Sequence, residues 1–429
     1  MPTNKPKRPH RRTPSALPSG VPARGAALRL LDAVLRQGLP LEAALPRATE
    51  ALERSDRALA RNLASGVLRH LTDLDALIDA ATARPLAEDA KARMVLRIAL
   101  YQALGLGTPG HAAIATVLPL VDGGPRRLVH GVFSTVTRAN DTLPNPPSLP
   151  AEVATRWSTN WGEAVVDAAR ALLAEPPLDL TLKTPDAPAP EGESLAPGHV
   201  RLPGTTPIAE LHGYAEGGWW VQDIAASIPA RLIGAGKGRV ALDLCAAPGG
   251  KTMQLAANGW RVTAVDLVES RLRRLSENLV RTNLSADLVT ADVMEWQPPA
   301  PADAVLIDAP CSATGIFRRH PEVLYRAGPR QIEEAAQLQA KLIARAADWV
   351  SPGGLLVYAV CSLEPDEGEA ILDGFLATRD DFTIEPPADG ELPTGITPLP
   401  GGAIRILPGT LAQAGGADGF FIARFRRRR

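Results

Sequence analysis

The sequence predicts an α/β domain with a doubly wound parallel sheet, preceded by an all-α helical bundle. From Arg239 onward, short apolar runs alternate with amphipathic helical patterns, as expected for parallel strands joined by crossover helices. Between about 21 and 140, apolar residues recur at helical spacing instead. The proline-rich stretch 143–150 separates the two regions and predicts a linker, because proline interrupts helices.

The first region is rich in alanine, leucine and arginine. Leu30, Leu31 and Val34 lie on one face of a helical pattern, and further helical patterns occur at 59–71 and 94–104. Several such helices joined by short breaks predict a helical bundle. We therefore expect a disordered basic tail over 1–20 and a helical domain over 21–142.

Length and composition exclude several classes of protein. The chain has 429 residues and is 45% hydrophobic, which is enough for more than one domain. No apolar run approaches the roughly 20 residues that span a bilayer, and the basic N-terminus lacks the apolar core of a secretory signal. A cytoplasmic protein without a membrane partner is expected. The three cysteines form no CxxC pair, so neither a metal site nor a disulfide framework is expected.

The net charge of −1 conceals an uneven distribution. The first twelve residues carry five cations and no acid, and the last six carry five more cations. Without these ten residues the net charge is about −11. Two basic tails on an acidic body suit contact with a polyanion such as RNA. Solvated, disordered ends are an equally good interpretation of the same pattern.

The second region contains the elements of the predicted sheet. Strands are expected at 239–245, 261–266, 286–290, 303–308 and 354–360. Helices are expected at 252–258, 268–283, 331–350 and 366–378. A late strand near 419–425 is expected to complete the sheet at an edge. Before the sheet, the segment 151–235 contains two short helical runs and a strand-like alternation from Leu178 to Thr184.

A glycine loop closes the first strand and opens a helix within Leu242–Thr252, which reads LDLCAAPGGKT. Doubly wound sheets bind nucleotides at this position. Asp266, at the end of the second strand, could bind a ribose hydroxyl pair, and Asp292, after the third, could meet an adenine edge. GxGxxG and GxxxxGK[ST] are both absent, which favours S-adenosylmethionine over a dinucleotide. A tight turn at Gly249 and Gly250 without any ligand is the alternative.

A Cys-Ser pair follows each of two later strands, at Cys311 and at Cys361. Because the carboxyl ends of parallel strands share one crevice, we expect both thiols to face one pocket beside Asp308. Methylation of cytosine at carbon 5 needs a thiolate that adds to carbon 6, an acid for the ring and a base for the departing proton. It also needs a pocket for an extruded base. One cysteine with Asp308 could begin this reaction, and the other could serve the elimination.

The alternative interpretation of any single cysteine is a small buried hydrophobe. We favour that interpretation for Cys245, which precedes the glycine loop and would pack behind the cofactor. It is less suitable for the two cysteines that follow buried strands of the same domain.

Three motifs together resemble the Sun/Fmu (RsmB-like) family of RNA cytosine-5 methyltransferases. They are residues 242–252, residues 308–315 (DAPCSATG) and residues 358–363 (YAVCSL). The segment 418–423 (DGFFIA) is also similar, and the resemblance covers about 200–429. It implies a Rossmann-like class I domain over 236–429 that uses S-adenosylmethionine.

The resemblance also implies roles for individual residues. The family's nucleophile falls on Cys361, Cys311 matches the cysteine assigned to product release, and Lys251 matches a pocket lysine. The residues implied to contact S-adenosylmethionine or the reacting base are Cys245, Ala246, Ala247, Pro248, Gly249, Gly250, Lys251, Asp266, Asp292 and Asp308.

Residues 24–138 resemble the NusB-like RNA-binding helical domain, through SDRA at 55–58, GVLR at 66–69 and LYQ at 100–102. Together, the two resemblances imply a bacterial enzyme that methylates unassembled small-subunit (16S) ribosomal RNA. A monomer is expected, with 151–235 as an RNA-positioning segment. The alternatives are another RNA such as tRNA, a non-catalytic RNA-binding assembly factor, and a nicotinamide oxidoreductase, which the missing GxGxxG disfavours.

The sequence departs from the family pattern at two places. Val360 stands where the family usually has threonine before the nucleophile, and Gly368 stands in an acidic motif that commonly contains asparagine. Neither change removes a thiol.

Arg318 and Arg319, which follow the loop of Cys311, are expected to bind RNA phosphates. A solvated basic turn is the alternative interpretation of this pair. Trp219 and Trp220 are expected to pack over the edge of the sheet rather than to stack on bases.

Overall fold

The computed structural model describes residues 19–139, 141–204 and 206–429. Of the predicted basic tail over 1–20, residues 1–18 lie outside the described residues. Within the described ranges, no helix combines the length and the apolar character that a membrane-spanning helix requires.

By its internal contacts the chain divides into two units, and the first, Met1–Pro144, is all-α in its described part. Its helices are α1 (Val21–Leu35), α2 (Leu41–Thr49), α3 (Arg54–Arg69), α4 (Leu71–Ala80), α5 (Lys91–Leu100), α6 (Gly110–Val117) and α7 (Gly123–Arg138). Helix α5 is buried along its length after Lys91. Its Arg93 and Arg97 pair with Asp75 and Asp79 of α4, which compensates the burial of their charges. The predicted helical bundle is confirmed.

The second unit, Asn145–Arg429, begins with two helices and a small antiparallel sheet. These elements are α8 (Ala151–Trp161), α9 (Ala164–Leu173), β1 (Leu178–Leu182), β2 (His199–Leu202) and β3 (Trp219–Val221), with the strands in the order β2-β1-β3. Trp219 and Trp220 are buried, so they pack inside the protein rather than stack on bases.

The main sheet has eight strands in the order β10-β11-β8-β7-β4-β5-β6, and β9 pairs with β11. They are β4 (Val240–Leu244), β5 (Arg261–Asp266), β6 (Asp287–Thr290), β7 (Ala302–Asp308), β8 (Val350–Val360), β9 (Phe382–Ile384), β10 (Ile404–Ile406) and β11 (Phe420–Arg427). Strands β4 to β8 are parallel, whereas β9, β10 and β11 pair antiparallel. The helices of this part are α10 (Ile224–Ile233), α11 (Gly250–Ala257), α12 (Glu269–Thr282), α13 (Val323–Arg326), α14 (Pro329–Ala347) and α15 (Glu369–Thr378).

Helices cover both faces of the main sheet, and strand β8 shows how. Tyr358 and Val360 belong to the core cluster that includes α14 and α15, whereas Val357 and Ala359 belong to the cluster that includes α10 and α11. Successive side chains of a strand point to opposite faces, so a continuous apolar run indicates burial on both. The predicted doubly wound fold is confirmed. Strand order reverses between β4 and β7, which places the crevice of such folds at their carboxyl ends.

Two expectations about the C-terminus are corrected. Strand β11 lies inside the sheet rather than at its edge, because the short strands β9 and β10 pair with its outer side. The C-terminal arginines do not form a free basic tail either. Arg424, Arg426 and Arg427 belong to β11 and form ion pairs with acidic residues of the segment that precedes it.

Candidate active site

The two cysteine loops meet at the carboxyl ends of β7 and β8. The strands are adjacent and parallel, with Asp308 opposite Ala359, so each chain leaves the sheet at the same level. The amide of Gly315 donates to the carbonyl of Cys361 at 3.0 Å and ties the loops together. The Sγ atoms of Cys311 and Cys361 are 3.5 Å apart, and both cysteines are half-buried. The expected convergence of two thiols is therefore present in the structure.

Asp308 ends β7, from which the Cys311 loop continues, and is held by Lys251, which also interacts with the charge of Cys361. The Lys251 Nζ donates to Asp308 Oδ2 at 2.7 Å, with the lysine side chain 10% exposed and the aspartate 31% exposed. Burial acts to lower the pKa of Lys251, but the charge and hydrogen bond of Asp308 outweigh it, so the pKa is raised. The lysine is a stable cation that fixes the orientation of the carboxylate while leaving part of it accessible.

The glycine loop joins β4 to α11 next to this pair. Gly249 has φ of +103°, and a Cβ there would lie 2.0 Å from Leu275 Cδ1, so both the backbone and the packing against α12 require glycine. Asp266, at the end of β5, accepts from the amides of Ala247 and Val268 at 3.1 and 3.0 Å. It thereby anchors the loop from the neighbouring strand.

Cys245 occupies the start of that loop with φ of +60°. It packs against the core cluster on the α14 side of the sheet. Burial raises the pKa of Cys245 to about 12, which keeps it a thiol at neutral pH. These properties suit a structural residue, as the sequence suggests, rather than a nucleophile.

The side chains around the loop fit S-adenosylmethionine. Asp266 and Asp308 place negative charge near the glycine turn, and Asp292, beyond β6, is exposed with its Oδ1 bonded to the amide of Met294 at 2.8 Å. Carboxylates favour the cationic sulfonium and ammonium groups of this cofactor and disfavour a pyrophosphate. The loop itself contributes Ala246, Ala247, Pro248, Gly249 and Gly250 between Cys245 and Lys251.

Arg318 does not lie where the sequence predicts. Arg318 is 3% exposed and pairs with Asp418 at 3.1 Å and Asp223 at 3.5 Å. Arg319 is 29% exposed and faces the same two carboxylates at 3.4 and 3.3 Å. A guanidinium buried between two acids cannot reach a phosphate, so the phosphate contact expected of Arg318 is corrected to a structural role. For Arg319 the RNA contact stays a prediction.

Sequence reasoning missed a buried polar group beneath the cysteines. Glu367 lies in a short turn after β8 and is fully buried. Its carboxylate accepts from the amide of Ser312 at 2.9 Å and from the hydroxyl of Ser362 at 3.1 Å. Gln339 of α14 donates to the same carboxylate at 2.9 Å and to the carbonyl of Pro310 at 2.8 Å. The serine that follows each cysteine in the sequence is the signal that could have revealed this group.

Segment 151–235 contributes side chains that support the loop after Cys361. Trp157 and Arg156 of α8 bind the buried carboxylate of Glu364, at 3.0 and 2.7 Å. Trp161 donates to the carbonyl of Leu363 at 2.8 Å. Helix α8 thus holds the loop that begins at Cys361.

Comparison with known proteins agrees with this geometry. Residues 232–426 match the family model described as 16S rRNA methyltransferase RsmB/F, and residues 21–134 match the NusB family. The chain is 33% identical to ribosomal RNA small subunit methyltransferase B of Klebsiella pneumoniae (strain 342), over 95% of this chain and 98% of that protein. The homologous protein of Cronobacter sakazakii (strain ATCC BAA-894) is 32% identical, over 94% and 97%.

The chain belongs to the RsmB/F family of methyltransferases. It is an S-adenosylmethionine-dependent enzyme, and its glycine loop lies at the crevice between β4 and β7. The crystal structure of PH0851 shares the fold, with a TM-score of 0.74 and 22% identity, over 95% of this chain and 99% of that one. The RsmB/F match begins just before β4 and includes both cysteine loops.

Proposed function

We propose that this enzyme methylates carbon 5 of a cytosine in small-subunit ribosomal RNA through a transient adduct on Cys361. The observation that carries the proposal is the 3.5 Å approach of two thiols beside an aspartate held by lysine. The names of the relatives in Klebsiella and Cronobacter support the RNA substrate. The motifs of the sequence, together with the NusB-like unit, support RNA over a small-molecule acceptor.

The reaction begins with the addition of the Cys361 thiolate to carbon 6 of the cytosine, which forms an S–C bond and makes carbon 5 electron-rich. Asp308 takes a proton from solvent, passes it to the ring nitrogen as the S–C bond forms and takes it back on elimination, while Lys251 keeps the carboxyl group in place. Bound at the glycine loop, S-adenosylmethionine supplies an electrophilic methyl group. Carbon 5 then carries both its methyl group and its original proton.

Release requires that a base take the proton from carbon 5. The bond between Cys361 Sγ and carbon 6 then breaks, and its electron pair returns to sulfur. We assign the base to Cys311, whose sulfur lies beside that of Cys361 and which loses its own proton to solvent once Cys361 is bound to carbon 6 and no longer carries negative charge. Two neighbouring sulfurs thus serve addition and elimination in turn.

The test compares three variants on deproteinised 16S rRNA with labelled S-adenosylmethionine. Cys361→Ala should lose methyl transfer, because no thiolate can add to the ring. Cys311→Ala should accumulate a covalent protein–RNA species that migrates slowly in a denaturing gel. The double variant should form no such species, since Cys361 is its attachment point.

Two outcomes would overturn parts of the proposal. Full turnover by Cys361→Ala would remove Cys361 as the nucleophile, and absence of the adduct in Cys311→Ala would remove Cys311 from release. Bisulfite sequencing of the product identifies the methylated cytosine. Equal methylation of tRNA and 16S rRNA would contradict the ribosomal assignment.

A further inference from the structure

Glu367 connects the two cysteine loops through neutral partners. One carboxylate oxygen accepts from the amide of Ser312 and from Gln339, each at 2.9 Å, and the other accepts from the Ser362 hydroxyl at 3.1 Å. Ser312 follows Cys311, and Ser362 follows Cys361. Burial raises the pKa of Glu367, while the hydrogen bonds from Ser312, Gln339 and Ser362 oppose that shift because three donors satisfy a carboxylate better than a carboxylic acid.

The two cysteines pack against different core clusters, although their sulfurs meet beyond the ends of the strands. Cys311 packs against the core cluster that contains Tyr358, whose hydroxyl donates to the Glu367 carbonyl at 2.7 Å. Cys361 packs against the opposite cluster, which contains Phe420, and the Lys251 Nζ lies 5.7 Å from the centre of that ring. The Glu367 carboxylate therefore lies on the side of Cys311, and the Lys251–Asp308 ion pair lies on the side of Cys361.

The shifts in the pKa values of Cys311 and Lys251 agree with this asymmetry. The hydrogen bond with Cys361, burial, and the negative charges of Cys361 and Glu367 raise the pKa of Cys311. The pKa of Lys251 is raised despite its burial, chiefly by Asp308 but also by charge on Cys361. Negative charge is thus disfavoured on the sulfur of Cys311.

The other charged groups nearby do not cancel this asymmetry. Arg405 of β10 donates to the Ser362 carbonyl at 2.6 Å but is paired with Glu369 of α15 at 2.5 Å. Asp308 of β7 is paired with Lys251. Burial raises the pKa of Tyr358 far above its usual range, so this phenol stays neutral.

We infer that Glu367 is a positioning residue that keeps the proton of the cysteine pair on Cys311 and so leaves Cys361 as the nucleophile. The inference rests on the proposed function and deepens it. When the pair ionises, the proton of Cys361 passes to solvent, and the S–H of Cys311 faces the remaining thiolate across 3.5 Å. Which cysteine attacks is thereby set before any RNA binds.

The test uses alkylation of the full chain by iodoacetamide, without RNA or cofactor. Trypsin separates the two cysteines, because Arg318 ends the peptide of Cys311 and Arg345 precedes that of Cys361. Mass spectrometry then gives the alkylation rate of each thiol against pH. Glu367→Gln removes the charge at constant size, so the pH midpoint of Cys311 alkylation should fall by about one unit, a tenfold gain in thiolate fraction below both midpoints.

Glu364→Gln is the matched control, because Glu364 is equally buried on the same loop but is paired with Arg156. Its Cys311 midpoint should stay within about 0.3 units of the wild type. Glu367→Asp retains the negative charge and should restore the wild-type difference between the pH midpoints of Cys311 and Cys361. An unchanged Cys311 midpoint in Glu367→Gln, with its thermal transition preserved, would overturn the inference.

The wild type alone provides a second test that needs no variant to fold. Its Cys361 must ionise at lower pH than its Cys311, and the reverse order would overturn the inference. Because these measurements use no RNA, they are independent of methyl transfer. An active Cys361→Ala variant would contradict the proposed function while leaving the order of the two midpoints intact.

Discussion

Asp308 ends β7 with a carboxylate that is partly accessible and held on one side by Lys251. We predict that Asp308→Asn lowers kcat by about 10²- to 10⁴-fold, because an amide cannot exchange a proton with the cytosine ring. KM for RNA should change much less, since the substitution preserves size. Steady-state methyl transfer from labelled S-adenosylmethionine at varied RNA concentration measures both quantities.

A control for this prediction lies at the other end of the same strand. Asp303 accepts from the amide of Val240 at 2.9 Å and faces away from the cysteine loops. Asp303→Asn should therefore keep kcat close to that of the wild type. If Asp308→Asn retained kcat within about threefold, a proton-transfer role for Asp308 would be excluded.

At the residue scale, the sequence predicts those site residues whose place follows from their position at the end of a strand. Cys311, Cys361 and Asp308 all follow predicted parallel strands, and the geometry of such sheets brings their ends together. Arg318 could not be placed in this way. Its partners Asp223 and Asp418 are 95 and 100 residues away, so a local basic pattern gave no sign that the charge is neutralised.

Among the elements, the small sheet of β1, β2 and β3 depends on one buried ion pair. Asp179 of β1 receives two hydrogen bonds from Arg201 of β2, at 2.6 and 2.7 Å, and a third from the amide of Ile224 at 2.9 Å. Burial alone would raise the pKa of Asp179, but the bonds from Arg201 and His199 outweigh it and lower the pKa to about 2. The pair therefore joins the small sheet to the start of α10.

We predict that Asp179→Asn lowers the free energy of unfolding of this unit by about 3 kcal/mol at pH 7, because Arg201 loses its buried partner. All seven tryptophans lie in Asn145–Arg429, so their fluorescence follows the unfolding of this unit in the full chain. Asp287→Asn, on an exposed position of β6, is the control and should change little.

The Asp179–Arg201 pair also predicts how the stability of this unit changes with pH. Because the folded-state pKa of Asp179 is about 2, below its usual 3.8, its ionised form stabilises the fold above about pH 4. That contribution is lost as the pH falls through the window toward 2. The difference in stability between the wild type and Asp179→Asn should therefore shrink below pH 4. A difference that is constant from pH 7 to pH 3 would contradict this assignment.

Element prediction succeeded where strands were long and buried on both faces. The strands β4, β5 and β7 follow from continuous apolar runs, whereas β2, β3, β9 and β10 have only three or four residues and no clear alternation. Their pairing depends on partners far along the chain. For this reason β11 was expected at an edge that β9 and β10 in fact cover.

At the scale of the whole molecule, the boundary at Pro144 determines where a catalytic fragment must begin. Every proposed site residue lies in Asn145–Arg429, together with α8 and the small sheet. The sequence predicts a methyltransferase domain starting at 236, but α8 holds the loop after Cys361, and Asp223 pairs with Arg318. A fragment beginning at 236 would lose both supports.

We predict that a fragment 145–429 folds and binds S-adenosylmethionine with a Kd within about threefold of the full chain, whereas a fragment 236–429 does not fold. Removal of α8 leaves the carboxylate of Glu364 buried without Arg156, which costs about 3 to 5 kcal/mol, and removal of Asp223 exposes a similar defect at Arg318. Losses of this size consume much of the 5–15 kcal/mol that stabilises an ordinary domain. Calorimetry with S-adenosylmethionine and tryptophan fluorescence measure both outcomes. A folded, cofactor-binding fragment 236–429 would show instead that the residues from 145 to 235 serve RNA rather than the architecture of the site.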